Sequence, residues 1–113
     1  MGQDGFEAFR KMILSLPGMA ESVSYGTPSF KLKDKLLARF HEDGETLVLK
    51  TDFETRDFLM SVDSNTYYIT DHYKNYPYVL VRMSSVDMEE LAGHVRSLWK
   101  SLAPKKLLKE YEQ

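Results

Sequence analysis

Apolar residues in this chain follow two spacings, one typical of helices and one typical of strands. Between Phe6 and Leu16 they recur every three or four positions, which predicts a first helix over about Gly5–Leu16 with Asp4 as its N-cap. A broad apolar stripe that follows Asp87 predicts a long helix capped by that residue and ended by Pro104. Helices are therefore expected near both ends of the chain.

The segments between these helices alternate apolar and polar residues, as strands with one buried face do. Three strands are predicted over Pro28–Lys33, Lys35–His41 and Glu45–Lys50. Their turns are expected at Lys33-Asp34, where Asp tolerates the left-handed conformation, and at Asp43-Gly44. The residues expected to face the helices are Phe30, Leu32, Leu36, Ala38, Phe40, Leu47 and Leu49.

Two weaker patterns complete the set of predicted elements. Met19–Thr27 lacks periodicity and is interpreted as a connection. A second helix is predicted from a cap at Thr51 or Asp52 to near Val62.

Thr66–Thr70 and Tyr78–Met83 are rich in aromatic and β-branched residues and predict two further strands. The loop between them, Asp71–Pro77, concentrates polar and aromatic side chains. Loops of this composition on a rigid sheet often carry binding residues. The alternative is a hairpin whose tyrosines cover the edge of the core and keep their hydroxyl groups in water.

The predicted order α-β-β-β-α-β-β-α describes an α+β protein. We expect a two-layer sandwich in which a five-stranded antiparallel sheet carries helices on one face and leaves the other face open. The 113 residues are expected to form a single domain, 1–113. After Pro104, Lys105–Tyr111 forms a short basic amphipathic segment.

Composition narrows the classes of function. The chain has no cysteine, which excludes disulfides and thiolate chemistry. Its net charge of −2 argues against strong non-specific DNA binding. The sequence shows neither a signal peptide nor an apolar run of the ~20 residues that a membrane span needs. We therefore expect a cytoplasmic protein without a membrane partner.

Six motifs, in order along the chain, resemble the MmcQ/YjbR family of small bacterial proteins. They are SYGTPSFK (Ser24–Lys31), KLLAR (Lys35–Arg39), LVLKTDF (Leu47–Phe53), YYITDHY (Tyr67–Tyr73), YPYVLVR (Tyr76–Arg82) and APKKL (Ala103–Leu107). The resemblance implies a CyaY-like or secretion-chaperone-like sandwich. Family members are described as DNA-binding proteins that use a "double wing" of hairpins, a description that rests on structural similarity.

Nucleic-acid binding is the first functional hypothesis, with lysines and arginines meeting phosphates and aromatic rings stacking on bases. The candidate residues are Lys31, Lys33, Lys35, Arg39, Lys50, His72, Tyr73, Lys74, Tyr76, Arg82, Lys105 and Lys106. One alternative is a solvated sheet face whose lysines prevent aggregation. The other is a module for protein–protein interaction or homodimerisation, because tyrosine and arginine are enriched in interface hot spots.

Catalysis is not expected, and neither is a metal or cofactor. Asp71, His72 and Tyr73 offer an acid, a base and a phenol, but neighbours in sequence rarely form a catalytic pair. His41, His72 and His94 fall on three separate predicted elements, and His94 is expected to be exposed.

Overall fold

The computed structural model describes residues 2–112, with side chains from residue 5 onward. The helices are α1 (Gly2–Leu14), α2 (Phe53–Val62), α3 (Met88–Leu102) and α4 (Lys105–Glu112). The strands are β1 (Met19–Ser24), β2 (Thr27–Leu32), β3 (Lys35–Phe40), β4 (Thr46–Lys50), β5 (Tyr67–Tyr68) and β6 (Tyr78–Arg82). A short 3-10 helix, Asp71–Tyr73, lies between β5 and β6.

The strands form one antiparallel sheet in the order β1-β2-β3-β4-β6-β5, so the predicted α+β class is confirmed. The predicted count of five strands is wrong, because Met19–Ser24 is a sixth strand rather than part of a connection. As an edge strand it exposes most residues on both faces, and it therefore lacks the alternation by which sequence reveals a strand.

A single apolar core fills the space between the helices and one face of the sheet. Its helical members include Phe9, Ile13, Leu59, Leu91, Val95 and Trp99. Trp99 is fully buried, and its indole Nε1 donates a hydrogen bond of 2.9 Å to the carbonyl oxygen of Pro17. This bond ties α3 to the segment that follows α1.

A bulge between β2 and β3 changes which residues of β3 reach the core. Phe30 pairs with Ala38 and Lys31 pairs with Leu36, so Leu37 is the extra residue. Leu37 is fully buried in the core, whereas Leu36 lies on the opposite face. The prediction that Leu36 faces the helices was therefore wrong, because the extra residue interrupts the alternation.

The helix starts and the β2–β3 turn also differ in detail from the prediction. Helix α1 begins at Gly2, ahead of the predicted cap at Asp4. Asp52 caps α2 by accepting a 2.7 Å hydrogen bond from the Thr55 amide. In the β2–β3 turn it is Lys33, at φ +57°, that has the left-handed conformation expected of Asp34.

Asp43 holds the β3–β4 turn together. Its carboxylate accepts hydrogen bonds from the amides of Glu45 and Thr46, at 2.8 and 2.9 Å, and from the Thr46 hydroxyl at 2.7 Å. Partial burial of the carboxyl group disfavours its ionisation. The hydrogen bonds outweigh this effect and hold the pKa of Asp43 below the ordinary 3.8.

We expect this turn to make stability depend on pH in the acid range. A carboxyl whose folded pKa is depressed stabilises the fold above its unfolded pKa, and this contribution is lost as the pH falls through the folded value. Urea unfolding between about pH 6 and about pH 2.5 should show a smaller loss of stability for Asp43→Asn than for the unmodified protein. Identical profiles for Asp43→Asn and the unmodified protein would contradict the role of Asp43.

Candidate nucleic-acid interface

The sheet face opposite the helices carries a groove, which we call the tyrosine groove. It is lined by Tyr25, Leu36, Arg39, Glu42, Val48, His72, Tyr73, Tyr76 and Tyr78 and has a volume of about 490 Å³. Its floor comes from β3 and β4, and its walls come from the β1–β2 turn and residues 71–78. Aromatic rings therefore dominate the groove.

Tyr73 anchors the loop of residues 71–77 on this face. Its ring packs with Val48 and Leu80 in a second, smaller apolar cluster. The loop consequently covers part of the face that was predicted to be open. His72 stacks edge-on against Tyr73, with ring centroids 4.7 Å apart, and stays exposed.

Arg56 fixes the same loop from α2. This side chain is only 7% exposed, and its Nη1 donates hydrogen bonds to the carbonyl oxygens of Tyr73, Lys74 and Tyr76, at 3.2, 3.2 and 3.1 Å. Sequence reasoning missed Arg56, because an arginine flanked by Thr55 and Asp57 in an amphipathic helix looks like a solvent-facing residue. No sequence signal shows that three carbonyl groups converge on it.

The side chain of Arg39, which was predicted to contact phosphate, is held by hydrogen bonds to other residues of the protein. It is 7% exposed, and its guanidinium donates to the Glu42 carboxylate at 2.8 Å and to the Tyr73 hydroxyl at 3.1 Å. Burial disfavours the charged guanidinium, but these hydrogen bonds outweigh burial and raise the pKa of Arg39. The Arg39 hydrogen bond in turn holds the pKa of Glu42 below its usual range. Arg39 therefore shapes the groove as one half of an ion pair.

Tyr25 is the most exposed tyrosine of the groove. It occupies the tip of the β1–β2 hairpin at φ +55°, a conformation that costs a non-glycine residue about 1–2 kcal/mol. The residue is 81% exposed, and the centre of its ring lies 5.1 Å from the Arg39 guanidinium carbon. Strained, exposed aromatic residues are candidates for function. Tyr25 lies in the SYGTPSFK motif, but it was not among the predicted nucleic-acid contacts.

The cations of the open face lie beside tyrosine rings. The Lys50 ammonium is 5.5 Å from the centre of the Tyr78 ring, and the Arg82 guanidinium carbon is 4.6 Å from that of Tyr68. Lys31 lies on the same face, paired with Leu36. Among residues 5–112, no lysine forms a salt bridge with another of these residues.

The remaining predicted contacts fall in three places. Lys33 and Lys35 are exposed at the β2–β3 turn, and Lys74 is exposed on the loop of residues 71–77. Lys105 and Lys106 lie in α4, which packs on the core from the helix side through Leu107 and Leu108. The two lysines of α4 are thus separated from the tyrosine groove by the sheet.

The side chains of residues 5–112 contain no group of three histidine, aspartate or glutamate residues arranged to hold a metal ion. The prediction that His94 is exposed was wrong, because its ring is partly buried edge-on against Tyr67, and its buried Nε2 has no hydrogen-bond partner among these residues. None of the helices between residues 2 and 112 combines the length and apolar character that crossing a membrane requires.

Comparisons with known proteins agree with this architecture. Fold and groove define a small α+β protein with one antiparallel sheet, helices on one side and an aromatic face on the other. The crystal structure of the Deinococcus radiodurans protein DR2400, a DUF419 domain, is similar with a TM-score of 0.70 and 22% identity, over 93% of this chain and 86% of that chain. At this identity the likeness concerns the fold alone.

The YjbR family model matches residues 14–101, which is most of the 113 residues. The chain therefore belongs to the YjbR family, as its motifs predicted. No curated protein matches it.

Proposed function

We propose that the open sheet face binds single-stranded nucleic acid without a catalytic step. The observation that carries this proposal is the charge pattern of the strands. Strands β2, β3, β4 and β6 contain basic residues and no acidic one. Of these basic residues, Lys31, Lys50 and Arg82 lie on the open face, whereas Lys35 is exposed at the β2–β3 turn and Arg39 is paired with Glu42.

The exposed rings favour single strands over a duplex. Unpaired bases stack on aromatic side chains, and such stacking is worth about 1–3 kcal/mol per base. Tyr25 and Tyr76, which are 81% and 54% exposed, stand at the walls of the groove with His72 next to Tyr76. In a duplex the base faces are hidden, so these rings would have no comparable partner.

Three basic residues of the open face are the proposed phosphate contacts. Lys31, Lys50 and Arg82 lie on the same face as the rings, so a strand can thread its backbone past them while its bases enter the groove. Three phosphate contacts on a single strand predict that log K falls with log salt with a slope of about −2. The net charge of −2 belongs to the whole chain, whereas these three basic residues make the open face locally positive.

Fluorescence anisotropy with a labelled oligothymidylate tests the proposal. We expect saturable binding at low salt, weakening at the slope given above, and much weaker binding of a duplex of equal length. Binding of the duplex as tightly as the single strand, or no saturable binding of either, would overturn it.

Tyr25→Asn should weaken nucleic-acid binding while leaving the stability of the fold nearly unchanged. Asparagine tolerates the left-handed conformation, so the free energy of unfolding should stay within about 0.5 kcal/mol or rise slightly. Loss of one stacking ring should weaken oligothymidylate binding about tenfold. Urea unfolding and anisotropy measure the two effects, and Tyr111→Asn on α4 is the control for binding. Unchanged affinity of Tyr25→Asn would remove this ring from the proposed site.

Homodimerisation is the second candidate. It is favoured by the β1–β2 hairpin, where Val23 and Tyr25 are largely exposed beside the unpaired edge of β1. Light scattering at micromolar concentration tests it directly. A dimer that is disrupted by Val23→Lys would support association through this edge, and a monomer would exclude it.

A further inference from the structure

Glu42 is the only acidic residue among those that line the tyrosine groove. It belongs to the β3–β4 turn, which the hydrogen bonds of the Asp43 carboxylate hold together. Its side chain is 55% exposed, although its Oε1 accepts the 2.8 Å hydrogen bond from Arg39. A carboxylate has about four acceptor positions, so this bond leaves most of the acceptor capacity of Glu42 open to a ligand in the groove.

Arg39 fixes both the position and the charge of this carboxylate. Its hydrogen bond holds the pKa of Glu42 below the usual range, so the group is ionised at neutral pH. The same guanidinium carbon lies 5.1 Å from the centre of the Tyr25 ring. The ring and the carboxylate therefore flank one side chain, and a base that stacks on Tyr25 can turn one edge toward Glu42.

The bases of a nucleic acid differ in what they offer to a carboxylate, which only accepts hydrogen bonds. On its Watson–Crick edge guanine presents adjacent donors, N1–H and the N2 amino group. Adenine and cytosine present an amino group next to an acceptor nitrogen, and thymine places its N3–H between carbonyl oxygens. These edges are free in a single strand. Guanine is therefore the base that can donate a pair of hydrogen bonds to one carboxylate.

We propose that the tyrosine groove prefers guanine, which donates its N1–H and N2–H groups to the Glu42 carboxylate while its ring stacks on Tyr25. This inference rests on the proposed binding of single strands and adds the base that the groove selects. A thymine in the same place would turn carbonyl oxygens toward a negative charge. Oligothymidylate consequently reports only the stacking and phosphate contacts of the site.

Fluorescence anisotropy with strands that differ at a single position tests this preference. Each strand is an oligothymidylate whose central base is guanine, inosine, adenine or thymine, and a lone guanine avoids the four-stranded assemblies of guanine runs. We expect the guanine strand to bind about tenfold more tightly than the thymine strand. Inosine lacks the N2 amino group and should lose most of this gain, and adenine controls for the stronger stacking of a purine.

The comparison among strands distinguishes failure of the preference from failure of nucleic-acid binding. An advantage of guanine over inosine or over adenine of less than about twofold would overturn the preference. If the thymine strand still binds saturably in that case, the proposed nucleic-acid binding stands and only the choice of base fails. If no strand binds saturably at low salt, both proposals fail.

Glu42→Gln removes the negative charge and leaves an oxygen that can accept from Arg39. An amide has an NH2 group in place of the second oxygen, so the advantage of guanine over inosine should fall below about twofold. Binding of the thymine strand should stay the same or strengthen, because a negative charge is lost.

Glu45→Gln is the matched control, since Glu45 lies at the end of the same turn but outside the tyrosine groove. It makes the same change in net charge and should keep the preference for guanine. A preference that persists in Glu42→Gln, or that is lost equally in Glu45→Gln, would contradict the role of Glu42.

Discussion

Replacing Arg56 with methionine should lower the free energy of unfolding by about 3 kcal/mol. Methionine keeps much of the volume of the side chain but cannot donate to the carbonyl oxygens of Tyr73, Lys74 and Tyr76. Hydrogen bonds from a charged donor are worth about 1.5–3 kcal/mol. Here one nitrogen serves three acceptors, so the effects of the three bonds cannot simply be added.

The exposed partner of Arg56 provides the control. Arg56 Nε lies 3.3 Å from the Asp57 carboxylate, whose side chain is largely solvent-exposed. Exposed ion pairs contribute little, so Asp57→Asn should change stability by less than about 0.5 kcal/mol. Urea unfolding gives both values, and a loss below about 1 kcal/mol for Arg56→Met would contradict the proposed role of Arg56.

Hydrogen exchange should show which part of the structure Arg56→Met destabilises. In Arg56→Met we expect faster exchange of the amides of Tyr73, Lys74 and Tyr76, which close the turns of this loop. Because Tyr73 and Tyr76 line the tyrosine groove, oligothymidylate binding should weaken in parallel. Loss of stability without faster exchange in the loop would place the effect of Arg56 elsewhere.

Reversing two charges on the open face should nearly abolish nucleic-acid binding. The double variant Lys31→Glu with Lys50→Glu places carboxylates where the proposal needs phosphate contacts. We expect an affinity loss of about 100-fold at low salt, and a salt slope that is shallower by about 1.4 as two contacts disappear. Since neither lysine forms a salt bridge with another of residues 5–112, stability should change little.

Helix α4 offers a control with the same change in net charge. Lys105→Glu with Lys106→Glu alters the opposite side of the molecule, beyond the sheet from the tyrosine groove. Its affinity for oligothymidylate should stay within about threefold of the unmodified protein, because separated surface charges are screened. Equal losses in both double variants would indicate attraction by net charge alone and would contradict a site on the open face.

The fold could be predicted from sequence wherever a local residue pattern is compatible with only one type of secondary structure. The long stripe of α3 with its cap at Asp87, and the Asp43-Gly44 turn, are signals of this kind, and both agree with the structure. Strand β1 was not predictable, since its residues are exposed on both faces. The bulge at Leu37 was equally hidden, because one extra residue leaves no mark in the composition.

The candidate site was predictable only in outline. The candidates named from sequence include Lys31, Lys50 and Arg82, and the strand pairing places these three on the open face. It could not show that Arg39 is neutralised by Glu42, because that pair depends on the direction of two side chains in space. The same limit applies to the carbonyl groups around Arg56 and to the unpartnered nitrogen of His94.

Mapping oligothymidylate onto the protein by amide chemical shifts tests the open-face proposal most directly. We predict that the shifted amides fall in β2, β3, β4 and β6, in the Tyr25-Gly26 turn and in residues 71–77. Amides of α1, α3 and α4 should stay unshifted. Shifts concentrated on these helices, or no saturable shifts at low salt, would contradict the proposal that this sheet face is a nucleic-acid interface.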